Sequence, residues 1–264
     1  MKKKCLFLCV TLLSVFALTS CFEGENTAEG QALGVLDYGK NRTPVLISSI
    51  GPVSSPSFDA LILRGDMSIG GCYIISYLFN RDLPENSSGM YEANGYYTVS
   101  LNGLVELPTY NMEAYVADTS FAFSNEIAVS NVYEDSEYLG GHLFIYQIVS
   151  QPSDLKLEWS MSYDETIEPT EEAVGRYYDV FVRATKMNSS ENSNVNMQHL
   201  NAYNMGSYLK KVANKEKSLL GSNYVESSSM FKLRFNYVSA IDKDTQKVTW
   251  KSHEESVLIS FVEK

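Results

Sequence analysis

Five apolar residues recur at every second position in one stretch of this chain. Leu155, Leu157, Trp159, Met161 and Tyr163 alternate with Lys156, Glu158, Ser160 and Ser162. A period of two held over this length sends alternate side chains to opposite faces of an extended backbone, which a helix of 3.6 residues per turn cannot do. Phe231, Leu233, Phe235 and Tyr237 repeat the pattern against Lys232, Arg234 and Asn236. Val257, Ile259 and Phe261 repeat it again. Residues 127–133, 142–149 and 177–184 complete a set of strand candidates. Strands with one dry face need a second layer over it, so the second half reads as a β-sandwich.

The first half reads as a small barrel. Short strand candidates at 32–36, 45–50, 61–63, 72–79 and 96–104 are separated by Gly, Pro, Asn and Ser. The 37–41 segment is turn-like, and Gly51-Pro52-Val53-Ser54-Ser55-Pro56 breaks the chain. Residues 72–79 are nearly all apolar and read as a central strand, whereas 96–104 alternates and has a wet face. The chain's 18 Tyr and 12 Phe suit strands. One segment departs from the β pattern. Met205, Tyr208, Leu209 and Val212 fall at helical spacing, with Asn204 as a cap, Lys210, Lys211, Lys215 and Lys217 toward the end, and Gly221 as a stop. The spacing predicts one amphipathic helix over 204–217 that closes an end of the sandwich. The Asn/Ser-rich stretch 187–196 before it reads as an exposed loop. The broken pattern at 108–125 is where the halves are expected to meet. The expected division is a leader at 1–20, a polar tether at 21–31, a barrel at 32–118 and a sandwich at 119–264.

The leader has a basic start at Lys2, Lys3 and Lys4, an apolar run over 5–18, and small residues before Cys21. This is the layout of a secretion signal, and the apolar run is too short to span a bilayer. Leu18-Thr19-Ser20-Cys21 resembles the lipobox of bacterial lipoproteins. That resemblance implies acylation of the Cys21 thiol, removal of the first 20 residues and a membrane anchor of several acyl chains. Phe22 after it suggests delivery to the outer membrane by analogy. Losing the leader removes three of 21 basic residues and moves the net charge from −11 to −14. So acidic a chain repels phosphate backbones, so nucleic acid is not an expected partner. With Cys5 and Cys9 in the leader and Cys21 acylated, Cys72 alone remains. It makes no internal disulfide, and it sits in a strand as a buried, inert thiol.

No constellation for catalysis emerges. His142, His199 and His253 are too far apart to form a spaced metal motif, and His142 after Gly140-Gly141 reads as a structural strand-edge residue. There is no Gly-x-Ser-x-Gly, Walker loop or Gly-x-Gly-x-x-Gly. The densest acidic run is Asp164, Glu165, Glu168, Glu171 and Glu172. It lacks EF-hand spacing and reads as a solvated loop rather than a Ca²⁺ site, and Glu134, Asp135 and Glu137 read the same way. Arg64-Gly65-Asp66 reads as a turn after a strand. Neither a cofactor nor a metal is expected. Tyr91, Tyr96, Tyr97, Tyr110, Tyr177 and Tyr178 are core candidates, and any that faces solvent would stack on a sugar or anchor a protein.

The arrangement as a whole resembles the NigD-like lipoproteins of Bacteroidales. The resemblance is carried by Leu18-Thr19-Ser20-Cys21, by Gly70-Gly71-Cys72-Tyr73-Ile74-Ile75 at a strand start, and by Tyr96-Tyr97-Thr98-Val99. The strands around 127–133 and 231–237, with the helix between them, also match. It implies an N-terminal OB-like barrel, a C-terminal sandwich and an association with bacteriocin immunity, and it supplies no catalytic residue. The expected function is therefore a non-enzymatic, lipid-anchored envelope protein that binds a protein or glycan. A fimbrillin-like pilus subunit that donates a terminal strand is the first alternative. A secreted glycosidase with two carboxylates across a cleft is the second.

Overall fold

The computed structural model describes residues 26–115, 119–133, 138–172, 175–223 and 230–258. The chain builds a closed five-stranded barrel and then a sandwich of two sheets. The barrel elements are β1 (Thr27–Tyr38), β2 (Pro44–Ser48), β3 (Gly51–Ser54), α1 (Phe58–Arg64), β4 (Cys72–Asn80), α2 (Ser88–Asn94) and β5 (Tyr97–Glu106). Their order is β1-β2-β3-β5-β4. The ring closes where β1 pairs antiparallel with β4, from Thr27↔Asn80 to Val35↔Cys72. Ala32, Leu36, Leu46, Val53, Tyr73, Ile75 and Val99 fill the interior, and Phe58 and Met67 join them from α1 and the turn after it. Gly34 is required by a close approach, because a Cβ there would lie 2.5 Å from the Ile47 carbonyl oxygen of β2.

The barrel is built from five strands, as expected, but not from the expected five. Residues 61–63 are helical. Phe58, Leu61 and Ile62 share one face of α1 and pack on the barrel core, while Leu63 is 88% exposed; a strand would instead put Leu61 and Leu63 on one face and Ile62 on the other. Gly65, in the left-handed conformation, caps the C-terminus of α1, so Arg64-Gly65-Asp66 is a turn after a helix, with Arg64 and Asp66 paired at 2.8 Å. The fifth strand is β3, in the segment read as a break. Pro52 is tolerated there because the pairing of β3 with β5 begins only at Val53, so its missing N–H costs no bond on that side. The tether reading is also corrected. Residues 27–31 belong to β1 and pair with 76–80 of β4, since backbone ladder bonds need no apolar side chains.

The sandwich elements are β6 (Thr109–Asn111), β7 (Glu126–Ile127), β8 (Asn131–Tyr133), β9 (Tyr138–Leu139), β10 (His142–Pro152), β11 (Leu157–Tyr163), β12 (Thr170–Glu172), β13 (Gly175–Lys186), β14 (Asn194–Asn204), α3 (Gly206–Leu220), β15 (Met230–Ile241) and β16 (Val248–Leu258). One sheet runs β6-β14-β10-β8, with β9 on β10. The other runs β11-β13-β15-β16, with β7 and β12 on β13. Leu143, Ile145 and Val149 face Leu157, Trp159, Met161, Val180, Val182, Leu233 and Phe235 across the core. The alternation of β11 holds residue by residue, with Leu157, Trp159, Met161 and Tyr163 buried. Residues 127–133 are two strands rather than one. β7 pairs with β13, β8 pairs with β10, and the chain switches sheets between them. Val129 N–H bonds to the Val238 carbonyl on one sheet, and Ser130 N–H bonds to the Ile148 carbonyl on the other.

The helix appears as α3, ending at Gly221. Tyr208, Leu209, Val212 and Ala213 bury into the sandwich core, and the Gly206 N–H bonds to the Asn204 side chain at 3.3 Å. Lys215 pairs with Glu168 at 2.6 Å, and Glu216 takes bonds from Arg176 at 2.7 Å and the Tyr178 hydroxyl at 2.6 Å. The strand pattern does not reveal β14. Its Asn-rich sequence favours no strand, but eleven residues pair in register with β10, from Asn194↔Pro152 to Asn204↔His142. Tertiary pairing overrides propensity there. The exposed loop therefore ends at 193 rather than 196.

A third cluster joins the two bodies. Val35 and Cys72 from the barrel meet Leu107, Phe144 and Ala202. This explains the continuous apolar run of β4. Tyr73 and Ile75 face the barrel interior, while Cys72 and Ile74 face the sandwich. Val257 lies at the β16 end of its ladder with β15, and Ile259 and Phe261 lie outside the described residues. Among the described residues no helix is long and apolar enough to cross a membrane.

Candidate functional site

Cys21 and the leader lie outside the described residues, as do Glu134, Asp135 and Glu137. The other singled-out residues are dispersed. Cys72 is fully buried at the barrel–sandwich junction, and burial pushes its thiol up to about 11, so it stays protonated and unreactive. His142 is buried at the start of β10, with Nδ1 3.1 Å from the Gly140 carbonyl, and burial lowers its pKa. In the loop after β11, the Thr166 hydroxyl and N–H bond to Asp164 and hold it below the usual carboxylate range, while Glu168 is engaged with Lys215. Among the described residues no group of three His, Cys, Asp or Glu comes together to hold a metal.

The aromatics do come together, at one end of the barrel. The rings of Tyr91 and Tyr97 stack with centroids 4.3 Å apart, and Phe79 meets Tyr97 edge-on at 5.5 Å. Tyr77, Phe79, Tyr97 and Val99 form the wall of a cleft of about 530 Å³, joined by Ala28, Arg81 and Asn86. The cleft follows from topology. The end of β4, the start of β5 and the start of β1 meet there, and the connection from β4 to β5 brings Ser88 of α2 to the cleft and Tyr91 onto the Tyr97 ring. Asn86 fixes that loop. Its amide donates to the Asn80 and Thr98 carbonyls at 2.8 and 2.9 Å and accepts from the Thr98 N–H at 2.7 Å. Lys40, in the β1–β2 loop, donates to the Ala93 carbonyl at 3.3 Å and ties the two loops together. The three ring-bearing residues of the wall are only partly buried, so they offer apolar faces to a ligand. Arg81 supplies a positive charge, and no carboxylate lines the cleft among the described residues.

Of the sequence candidates, Tyr91 and Tyr97 belong to this site. Tyr110 instead stacks on Tyr203 at 5.6 Å in the sandwich, and Tyr177 and Tyr178 are buried. Sequence reasoning missed Tyr77, Phe79, Arg81 and Asn86. The first two lie inside an apolar run with no wet face to mark them, and nothing in the sequence marks Asn86 as a loop clamp.

A second cleft, of about 980 Å³, opens at one end of the sandwich between the ends of the sheets and the loop at 187–193. Glu126 lines it. Its Oε2 accepts from Arg183 at 2.9 Å and from the Phe123 N–H at 2.7 Å, and burial raises its pKa against both. The Arg183 guanidinium also lies 4.0 Å from the Phe123 ring centroid and 4.9 Å from that of Trp250.

Residues 24–105 match the family described as the Lipoprotein OB domain. The strand order with a helix between β3 and β4 and this match together give the N-terminal barrel an OB fold. Over the whole chain the fold is shared with an uncharacterized protein from Parabacteroides merdae, at 18% identity and a TM-score of 0.73, covering 87% of this chain and 98% of that one. A protein of unknown function from Bacteroides vulgatus gives 13% identity and a TM-score of 0.51, covering 89% and 93%. A NigD-like immunity protein from Bacteroides caccae is more distant, at 13% identity and a TM-score of 0.44, covering 86% and 96%. No curated protein matches the chain. Similarity by sequence to a lipoprotein family thus lies in the barrel, whereas barrel plus sandwich share their fold with proteins from Parabacteroides and Bacteroides.

Proposed function

We propose that the protein is a non-enzymatic, lipid-anchored envelope module that binds a protein partner through the aromatic cleft of its barrel. The observation that carries this reading is the Tyr77, Phe79 and Tyr97 wall beside Arg81, held in shape by Asn86. Partly exposed aromatic rings with one adjacent Arg are the side chains that dominate protein recognition. A cationic cleft on an acidic chain favours a partner segment that pairs an apolar side chain with a carboxylate. Anchoring through Cys21 keeps that cleft at the membrane surface. The family resemblance gives this binding a specific form, immunity to a bacteriocin.

Two further observations favour this reading over its rivals. β16 pairs with β15 from Val248↔Ile241 to Leu258↔Met230, so its described residues are engaged in their own sheet rather than free for donation to a pilus neighbour. A glycosidase needs two carboxylates across a cleft; none lines the barrel cleft among the described residues, and in the sandwich cleft, where Glu126 and Glu191 occur, Glu126 is tied to Arg183.

The test is made in cells lacking the gene, challenged with bacteriocins of the same species. Wild-type protein restores survival, and Tyr97→Ala, expressed and anchored to the same level, does not. Equal protection by both proteins, or no change in survival on deletion, removes the immunity reading. Mass spectrometry of the native protein reads the anchor, with acylated Cys21 as the expected N-terminus.

A further inference from the structure

The sandwich cleft holds two buried oxygens that no hydrogen bond accounts for. Gln151 is 1% exposed. Its amide nitrogen donates to the Leu155 carbonyl at 3.2 Å, and its Oε1 has no partner among the described residues. The Glu126 side chain is fully buried and spends Oε2 on Arg183 and Phe123, leaving Oε1 without a partner among the described residues. Both residues line the same cleft. Buried polar atoms are almost always satisfied, so two orphaned acceptors in one cleft wall call for donors from outside the chain.

The chemistry of the wall limits what those donors can be. A metal ion is disfavoured, because the Arg183 guanidinium sits 2.9 Å from the other oxygen of Glu126 and already supplies that carboxylate with positive charge. The same charge disfavours an ammonium group. No aromatic ring lines the cleft among the described residues, so a flat apolar ligand finds no stacking partner. The rim carries amides and hydroxyls, among them Asn188, Ser190 and Asn194, together with the charged side chains of Lys186, Glu191 and Lys243. Amides and hydroxyls both donate and accept. The rim is also held in place. Asn188 accepts from the Lys156 N–H at 2.6 Å, and the Ser190 hydroxyl bonds to Asp154 at 2.5 Å. A prearranged rim reduces the ordering cost of binding a polar ligand.

We infer that this cleft is a saccharide site, in which sugar hydroxyls donate to Gln151 Oε1 and Glu126 Oε1 while the Asn and Ser side chains of the 187–193 loop and Asn194 at the start of β14 bond the neighbouring hydroxyls. A sugar is the ligand class that brings several O–H donors close together without charge. This site is separate from the barrel cleft and does not rest on the protein-binding reading.

The test uses the full mature lipoprotein in detergent micelles, titrated calorimetrically with cellohexaose, mannohexaose, xylohexaose and N-acetylchitohexaose. At least one of these binds. Gln151→Met, which keeps the side chain's size and removes its acceptor, weakens that binding about tenfold, the value of roughly one lost hydrogen bond. Asn192→Ala, on the exposed rim, weakens it about threefold and leaves the melting temperature unchanged, which separates recognition from folding. Tyr97→Ala in the barrel has no effect on it. The inference is overturned if none of the four sugars binds, or if binding survives both cleft variants. It is equally overturned if Tyr97→Ala abolishes binding, or if a tetraserine control peptide binds as tightly as the sugar and is lost in the same variants.

Discussion

The barrel and the sandwich are both β structures, yet they make their clefts from opposite materials. The barrel closes on itself through β1 and β4, which leaves no free edge and packs its interior with side chains. Only its mouth is available, and what lines a mouth is the last side chains of the wall: Tyr77, Phe79 and Tyr97. The sandwich leaves its ends open, and there the chain crosses between sheets at Ala128–Ser130 and loops out at 187–193. Its cleft is therefore lined with loop amides, hydroxyls and charged groups over buried acceptors. Closure concentrates apolar faces at a rim, whereas an open sandwich end exposes polar loops over a buried floor.

The comparison breaks first at Glu126–Arg183. Arg183 is 4% exposed, so Arg183→Met strands a buried carboxylate and is expected to cost about 3–5 kcal/mol in denaturant unfolding. A loss under about 1 kcal/mol would mean that Glu126 is neutral in the folded chain and that the sandwich end is held by packing alone. The junction comes next. Cys72→Ser puts a hydroxyl where Val35, Leu107, Phe144 and Ala202 close around a thiol, at an expected cost of about 1–3 kcal/mol. In the native protein, Cys72 should be alkylated only as fast as the whole chain unfolds. Faster labelling would show that barrel and sandwich part before either melts.

The smallest effect is a pH dependence confined to the sandwich. Burial lowers the pKa of His142 and of His199, and His199 Nε2 has no partner among the described residues. The unfolded chain therefore takes up these protons first. Their contribution to stability is complete above the unfolded value of about 6.5 and is lost as pH falls through it toward the folded values. Burial raises the pKa of Glu126, which acts with the opposite sign at lower pH. Thermal melts from about pH 7 to about pH 5 should fall more steeply for the native protein than for His142→Gln/His199→Gln. Parallel curves would assign the acid response to other groups.

How much is legible in the sequence depends on how many faces each element buries. β11 has one dry face, and its alternation alone names every buried residue in it. α3 is legible for the same reason, through a single apolar stripe and a glycine stop. β4 buries both faces, so its pattern marks a strand but hides that Tyr77 and Phe79 end at a cleft. In α1, three apolar residues in a row fit either state, and only Phe58 and Gly65, outside that triplet, decide for a helix. β14 leaves no mark of its own because its stability comes from β10 rather than from its own side chains.

By itself the sequence determined that this chain is β-rich, that a barrel precedes a sandwich, and that one helix interrupts the second. Those properties follow from local periodicity and turn residues, which act over a few positions. Only the tertiary structure decided which strands close the barrel, that Cys72 seals a junction, and that Tyr91 and Tyr97 meet Phe79. It alone brought Glu126 and Gln151 to one cleft. Each of these depends on pairing across tens of residues, where register rather than composition sets which side chains meet.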